Sequence, residues 1–248
     1  MRDVVRIAAV GDLHCSRTSQ GALRELFKWT ATQADVLLLA GDLTDYGLPE
    51  EGKILVEELA AVGDMPKLAV LGNHDFECGK YHELTHVLVE SGIIVLDGES
   101  CEVAGIGFAG VKGFAGGFGE WALQSWGEEP IKHFVHAGVE EAVKLEAALT
   151  RLKTQQRIVL MHYAPIRATV EGEPPEIFPF LGSSRLELAL NPHPVTAVFH
   201  GHAHKGRAEG RTASGIPVYN VALPVLRVLA PDRPPVRLFD VPRPRGER

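Results

Sequence analysis

The stretch Val4-Val5-Arg6-Ile7-Ala8-Ala9-Val10-Gly11-Asp12-Leu13-His14 decides how this chain is built. Val4 to Val10 is short, branched and apolar, as a buried strand should be, and a Gly-Asp turn signal closes it. The theme then repeats. Ser19 to Thr32 places Leu23, Leu26, Phe27 and Thr30 on one helical face, and Val36 to Ala40 is a second strand. Glu50 to Val62 is a second helix with Ile54, Leu55, Glu58 and Leu59 in register. Lys67 to Leu71 follows as a strand, and Tyr81 to Ser91 as a helix closed by Gly92. Strands and helices alternating at this spacing imply parallel strands joined by helical crossovers.

Beyond Gly92 the pattern loosens. Ile93 to Leu96 and Cys101 to Ala109 are expected as strands, with Asp97-Gly98 turning between them. Gly105 to Trp126 is rich in glycine and carries Phe108, Phe114, Phe118, Trp121 and Trp126. It lacks G-x-x-x-x-G-K-[ST], so it is no P-loop. It reads either as a wall over a site or as a mobile loop packed by its own aromatics. Val139 to Leu152 is expected as a helix, Arg157 to Met161 as a strand, and Tyr163 to Ser184, with its four prolines, as a long loop. Val195 to Phe199 is another strand. Arg207 to Arg211, Pro217 to Val221, Val225 to Leu229 and Val236 to Phe239 look like antiparallel strands. The expectation is one domain over residues 1–240 and a frayed Pro/Arg-rich tail over 241–248.

Composition narrows the class. The chain has 248 residues, 45% hydrophobic and 23% charged, which suits a soluble globular protein. No apolar run approaches the roughly 18 residues that a membrane span needs. The first residues lack the basic head, apolar middle and cleavage site of a secretory signal, so a cytoplasmic location is expected. The net charge of -7 opposes non-specific binding to nucleic acid, without excluding a local basic groove. Three cysteines, Cys15, Cys78 and Cys101, give neither a disulfide frame nor zinc-ribbon spacing.

The chemistry lies at the strand ends. Five apolar strands each run into metal-capable residues: Gly11-Asp12-Leu13-His14, Gly41-Asp42, Gly72-Asn73-His74-Asp75, His162, and His200-Gly201-His202-Ala203-His204. In open α/β sheets ligands gather at the carboxyl ends of strands, so these distant segments can converge. Asp12 and His14 are two residues apart, as are His202 and His204, and in extended chain such pairs point the same way. Glycines 11, 41, 72 and 201 let the backbone turn beside a crowded centre. A lone Asp or His at a strand end is commonly a cap or turn former, but turns explain the whole set poorly. Carboxylate, imidazole and amide oxygen without thiolate suit Mn, Fe, Zn or Ni. The donors are too many for one structural zinc, and two ions about 3.5–4 Å apart fit better.

In this order the motifs resemble the calcineurin-like metallophosphoesterase superfamily, whose D-x-H, G-D, G-N-H-[DE], single His and G-H-x-H blocks are all present between residues 11 and 204. The resemblance implies an α/β fold, a four-layer α-β-β-α sandwich of two mixed sheets flanked by helices. It also implies that Asp12, His14 and His204 would bind a first metal ion, Asn73, His162 and His202 a second, and that Asp42 would bridge them. A hydroxide shared by the metals would attack phosphorus. His74 would be catalytic, stabilising the transition state or protonating the leaving oxygen. Asp75 would orient His74 or cap a helix. His200 is a candidate for supporting the site, and Arg17 for touching substrate phosphate.

The expected activity is therefore hydrolysis of small phosphate esters: phosphomonoesters, phosphodiesters or cyclic nucleotides, with the G-N-H-[DE] form leaning towards diesters. Two alternatives remain open. A metal-dependent nuclease should carry a basic groove near the metals. A non-catalytic scaffold of the same fold should lack ligands, and none is lacking here.

Overall fold

The computed structural model describes residues 3–243. In chain order the strands are β1 (Val4–Val10), β2 (Val36–Ala40), β3 (Lys67–Val70), β4 (Ile93–Val95), β5 (Glu99–Val103), β6 (Ile106–Val111), β7 (Arg157–Met161), β8 (Ala197–His200), β9 (Glu209–Arg211), β10 (Pro217–Asn220) and β11 (Arg237–Pro242). The helices are α1 (Arg24–Gln33), α2 (Pro49–Leu59), α3 (Tyr81–Glu90), α4 (Glu129–Arg151), α5 (Phe178–Leu181), α6 (Ser184–Leu190) and α7 (Leu223–Leu229).

Two mixed sheets result. One has the order β11-β1-β2-β3-β4, parallel except for β11; the other has the order β5-β6-β7-β8-β10-β9, parallel except for its two edges. Helices α1, α2 and α3 line the first sheet, and α4 with α6 lines the second. The four-layer sandwich is thus present. Strand β7 shows why its sequence is apolar beyond Arg157. Ile158 and Leu160 enter the core between the sheets, while Val159 and Met161 enter the core beneath α4 and α6. A strand buried on both faces has no polar side to alternate with.

The carboxyl ends of the two sheets are laced together. Gly11 donates from its N–H to the Val221 carbonyl at 2.8 Å and accepts from the Leu223 N–H at 3.0 Å. The loops following β1, β2 and β3 therefore face those following β7 and β8.

Several expected elements differ. The strand expected over 101–109 is a hairpin of β5 and β6. Its turn, Ala104-Gly105, has φ of 53° and 78°, the left-handed pair that a two-residue hairpin needs. Alanine in the place usually taken by Asn, Asp or Gly hid it. Helix α4 begins ten residues before Val139, with Pro130 in its first turn and only Ile131, Phe134 and Val135 marking its apolar face there. Helix α6 lies where the long loop was expected to end. Its signal was Ser183, whose hydroxyl accepts from the Arg185 N–H and caps it. Val225 to Leu229, expected as a strand, belongs to helix α7. Pro224 sits in its first turn, Val225 and Leu226 are buried, and Val228 and Leu229 are exposed. A short apolar run does not distinguish the two periods.

Strand β10 pairs parallel to β8, not antiparallel. Val241 and Pro242, expected in the frayed tail, pair with Val5 and Val4, and Val241 is fully buried. Arg243 donates from its N–H to the Asp3 carbonyl at 3.0 Å, and residues 244–248 of that expected tail lie outside the described residues. Helix α1 starts at Arg24 rather than Ser19. The buried Glu58 carboxylate accepts from the Gly21 and Leu23 N–H groups and holds the preceding residues in turns. No helix among the described residues is long and apolar enough to cross a membrane.

Candidate metal centre

The backbone is the first sign of a special site. Among the described residues only five non-glycines have positive φ, and four of them are Asp12 (56°), His14 (45°), Asp42 (46°) and His202 (69°). Each such residue costs about 1–3 kcal/mol and persists only where its surroundings over-determine it. Here they do. The Asp12 N–H donates to the Gly41 carbonyl at 2.9 Å, and the His14 N–H to the Asp42 carbonyl at 3.0 Å. The His202 N–H donates to the Asp12 carboxylate at 3.0 Å. Two glycines are required by close approach. A Cβ on Gly72 would run into the Asp42 carboxylate, and one on Gly201 into that of Asp12.

The side chains then gather in two groups. Asp12, His14 and His204 place donor atoms within 4.8 Å of one another, and so do Asp42, His162 and His202. Asp42 faces both groups. Its Oδ2 lies 3.9 Å from His14 Nε2 and its Oδ1 lies 3.3 Å from His162 Nε2. His204 Nε2 lies 3.0 Å from Asp12 Oδ1. Asn73 Oδ1 lies 3.0 Å from His162 Nε2.

Hydrogen bonds fix which ring nitrogen is free. His162 Nδ1–H donates to the Ala40 carbonyl at 2.9 Å, which turns Nε2 towards Asn73 and Asp42. His202 Nε2–H donates to the Phe180 carbonyl at 3.2 Å, which leaves Nδ1 for the site. Backbone carbonyls commonly hold metal-ligating imidazoles in this manner. Three acceptor atoms meeting at His162 Nε2, Asn73 Oδ1 and Asp42 Oδ1 require a cation among them, a proton or a metal. The fit to a metal has a second mark: His14 Nε2 is buried and has no hydrogen-bond partner. An uncompensated buried nitrogen is costly unless something binds it.

Electrostatics point the same way. Burial opposes charge on Asp42, yet the adjoining His162 outweighs it and holds the carboxyl below the usual carboxylate range. Burial likewise opposes charge on His162, but Asp42 prevails and lifts the imidazole to about 9. Burial, reinforced by repulsion from His162, pushes His202 down to about 4. The hydrogen bond to Asp12 raises His204, and burial lowers His14.

The sequence of the calcineurin-like phosphoesterase family matches this chain over residues 5–206. The chain belongs to that family. Among solved structures, phosphopantetheinyl hydrolase (PptH) from Mycobacterium tuberculosis aligns with a TM-score of 0.64 at 15% identity, covering 94% of this chain and 95% of that one. TT1561 of Thermus thermophilus aligns with a TM-score of 0.56 at 19% identity, covering 97% and 100%. Purple acid phosphatase PPD1 from yellow lupin seeds aligns with a TM-score of 0.54 at 13% identity, covering 90% and 44%. These likenesses are of fold. No curated protein sequence matches.

Within this calcineurin-like fold, the other expected residues separate clearly. His74 lies at the site. Its ring stands edge-on to His14 with centroids 4.6 Å apart, its Nδ1–H donates to the Asp45 carbonyl at 2.8 Å, and its N–H donates to Asp42 Oδ1 at 2.9 Å. Asp75 was expected to orient that ring or cap a helix, and it does neither. Its fully buried carboxylate accepts from the N–H groups of Leu43, Thr44 and Gly72 and from the Thr44 hydroxyl. It ties the loop after β2 to the loop after β3. Burial, with Asp42 nearby, pushes its carboxyl up to about 6.

His200 is buried, its ring bonded between the Gly201 carbonyl and the Thr169 hydroxyl, and Arg17 is exposed on a turn. Segment 112–118 docks on the chain around Phe178 to Ser184, whereas Trp121 and Trp126 are exposed. Sequence reasoning missed Asp45, Phe180 and Tyr163. Tyr163, directly after His162, lays its ring 4.4 Å from that of His202. Only Asp45 carried a signal, as a second carboxylate three residues after Asp42.

Proposed function

We propose that the protein is a two-metal phosphoesterase that hydrolyses phosphodiesters ahead of phosphomonoesters. The observation that carries this reading is the position of Asp42 between two donor groups, facing His14 on one side and His162 on the other. Asp12, His14 and His204 would hold one ion, Asn73, His162 and His202 the other, and Asp42 would serve both. Bound ions of this kind, such as Mn, Fe, Zn or Ni, supply charge neutralisation and an activated water for in-line attack.

The protein's own groups do the rest. The Ala40 and Phe180 carbonyls keep the His162 and His202 rings aimed inward. The Asp45 carbonyl holds a proton on His74 Nδ1, so Nε2 is the atom that can carry a proton to the leaving oxygen. The G-N-H-[DE] form of Gly72 to Asp75 supports diesters ahead of monoesters.

The test is a substrate panel with Mn-loaded protein: an aryl phosphate, an aryl diester, cyclic nucleotides and single-stranded DNA. A phosphopantetheinyl ester joins the panel because PptH is a fold neighbour. Elemental analysis runs alongside. Turnover of aryl diester with two metals per chain is expected. Metal-free protein after Mn loading would end the proposal, and preference for DNA would convert it to a nuclease.

A further inference from the structure

We infer that a cavity beside the metal centre is the subsite for one arm of the ester, and that it takes a planar heteroaromatic ring such as a nucleobase. Turnover of such a substrate rests on the two-metal reading; binding of the ring itself does not.

The cavity lies at the same sheet edge as the metal ligands. Leu71 follows β3, Leu96 and Asp97 follow β4, and Lys112 follows β6, while α3 supplies Tyr81 and Thr85. In open α/β sheets that edge is where ligands bind. The cavity volume is about 200 Å³. An apolar cavity of roughly 150 Å³ accepts benzene, so one ring system fits here and a polymer strand does not. The cavity adjoins the centre on the side of Asn73 and His162. Leu71 directly precedes Gly72-Asn73, and Phe76 closes the helical turn that His74 begins. The Lys112 carbonyl accepts from the N–H groups of His162 and Tyr163 at 3.0 and 3.1 Å. Tyr163 spans the remaining gap, its ring 5.3 Å from Lys112 Nζ and 4.4 Å from the His202 ring. A sugar or another linker of a few bonds bridges that distance.

The lining selects the ligand. Phe76 is stacked on Tyr81 with centroids 4.5 Å apart, and Leu71, Val95 and Leu96 add apolar surface. Aromatic and aliphatic walls favour a flat ring. Lys112 Nζ lies 5.5, 4.8 and 5.3 Å from the ring centroids of Phe76, Phe114 and Tyr163. Among the described residues it donates to one acceptor, the Gly113 carbonyl, at 2.9 Å. An ammonium carries three donors, so two remain for a ring nitrogen or carbonyl oxygen of a ligand. Burial lowers the pKa of Lys112, the mark of an ammonium short of water. A plain hydrocarbon would leave those donors unpaired, which is costly. Asp97 is held by Lys144 at 3.0 Å, so Glu99 is left to balance Lys112 and to accept from a ring N–H. A cavity balanced in this way suits a neutral ring over a second phosphate.

The experiment uses chelated protein and ligand-observed NMR titrations with adenosine, guanosine, cytidine and uridine, with methyl riboside and inorganic phosphate as controls. At least one nucleoside should bind, and methyl riboside should not. Lys112→Met should weaken that binding about 10-fold or more, the usual loss for a hydrogen bond to a charged group. Thr85→Phe, which fills the cavity from α3, should abolish it. Calorimetry checks that both variants fold, and Lys112→Met decides alone if Thr85→Phe does not. Failure of all four nucleosides to bind wild type would overturn the inference, as would unchanged binding in a folded variant. Phosphate binding that depends on Lys112 would mark an anion site and overturn it too. If wild type takes up no Mn, the two-metal reading falls instead, and the nucleoside titrations still decide what the cavity holds.

Discussion

Removing the Asp75 carboxylate should loosen the loops that hold Asp42 and Asn73 before it touches any chemical step. The Asp75 side chain is fully buried and accepts from three backbone N–H groups and one hydroxyl, over 2.6–3.1 Å. Asp75→Ala strands all four donors, each at a cost of about 1–3 kcal/mol. Part is recovered, because burial makes the charged carboxylate expensive: a carboxyl raised from 3.8 to about 6 represents roughly 3 kcal/mol at neutral pH. Loop relaxation recovers more. The net loss should be about 3–5 kcal/mol, at the high end for one substitution. At 2–4 °C per kcal/mol for a chain of this size, the melting point should fall by roughly 6–20 °C.

Asp75→Asn keeps one oxygen but turns an amide N–H2 towards donors, and should fall about halfway. The sign of the pH effect is also set. The folded carboxyl titrates above its unfolded value, so its favourable contribution is complete below about pH 4 and lost as pH rises through about 6. That slope should vanish in Asp75→Asn. Differential scanning calorimetry of chelated protein, with Mn titration, measures all of this. Full stability and metal uptake with lost turnover would refute the reasoning and return Asp75 to the role of orienting His74.

Asp42→Ala should lose at least one metal ion per chain by elemental analysis, because the same carboxylate faces both donor groups; two retained ions would place the bridge elsewhere. His74→Ala should keep both ions and lose about 100-fold or more in kcat on a poor leaving group, as general acids typically contribute; near-normal rates would remove His74 from the reaction. In chelated protein, burial disfavours charge on His162 but Asp42 lifts its pKa to about 9, above the free value of 6.5. The ion pair's stabilisation is therefore full below about pH 6.5 and lost as pH rises through about 9. The chelated protein should melt lower at pH 9 than at pH 7, and His162→Asn should flatten that difference. Gly201→Ala should displace the Asp12 carboxylate, which occupies the space of the added methyl, and weaken metal uptake; unaltered titration would show that the backbone accommodates it.

Much of this protein is legible along the chain because the relevant physics is local. Burial on both faces makes β2 a continuous apolar run, and β1, β3 and β7 nearly so apart from Arg6, Lys67 and Arg157, and the five ligand blocks follow strands directly. The family resemblance rested on those blocks, and the matched residues 5–206 contain them all. Errors arose where a local pattern is ambiguous or absent. Val225 to Leu229 suits either period, Ala104 hides a hairpin turn, and the start of α4 is marked only by Pro130 and the sparse Ile131, Phe134 and Val135.

Other properties existed only once distant segments met. Three blocks end strands of one sheet and two end strands of the other, so their meeting depends on how the sheets pack and on the Gly11–Val221 contact between them. The allocation of hydrogen bonds is equally non-local. Whether Asp75 serves His74 or four donors around Leu43, Thr44 and Gly72 is settled by which donors folding brings within reach. Asp45 gains its place through the Cys15–Thr44 bridge between neighbouring loops. Periodicity records which face a residue turns to the core; what an inward-facing polar atom meets there can depend on a chain segment 192 positions away, as Asp12 and His204 are.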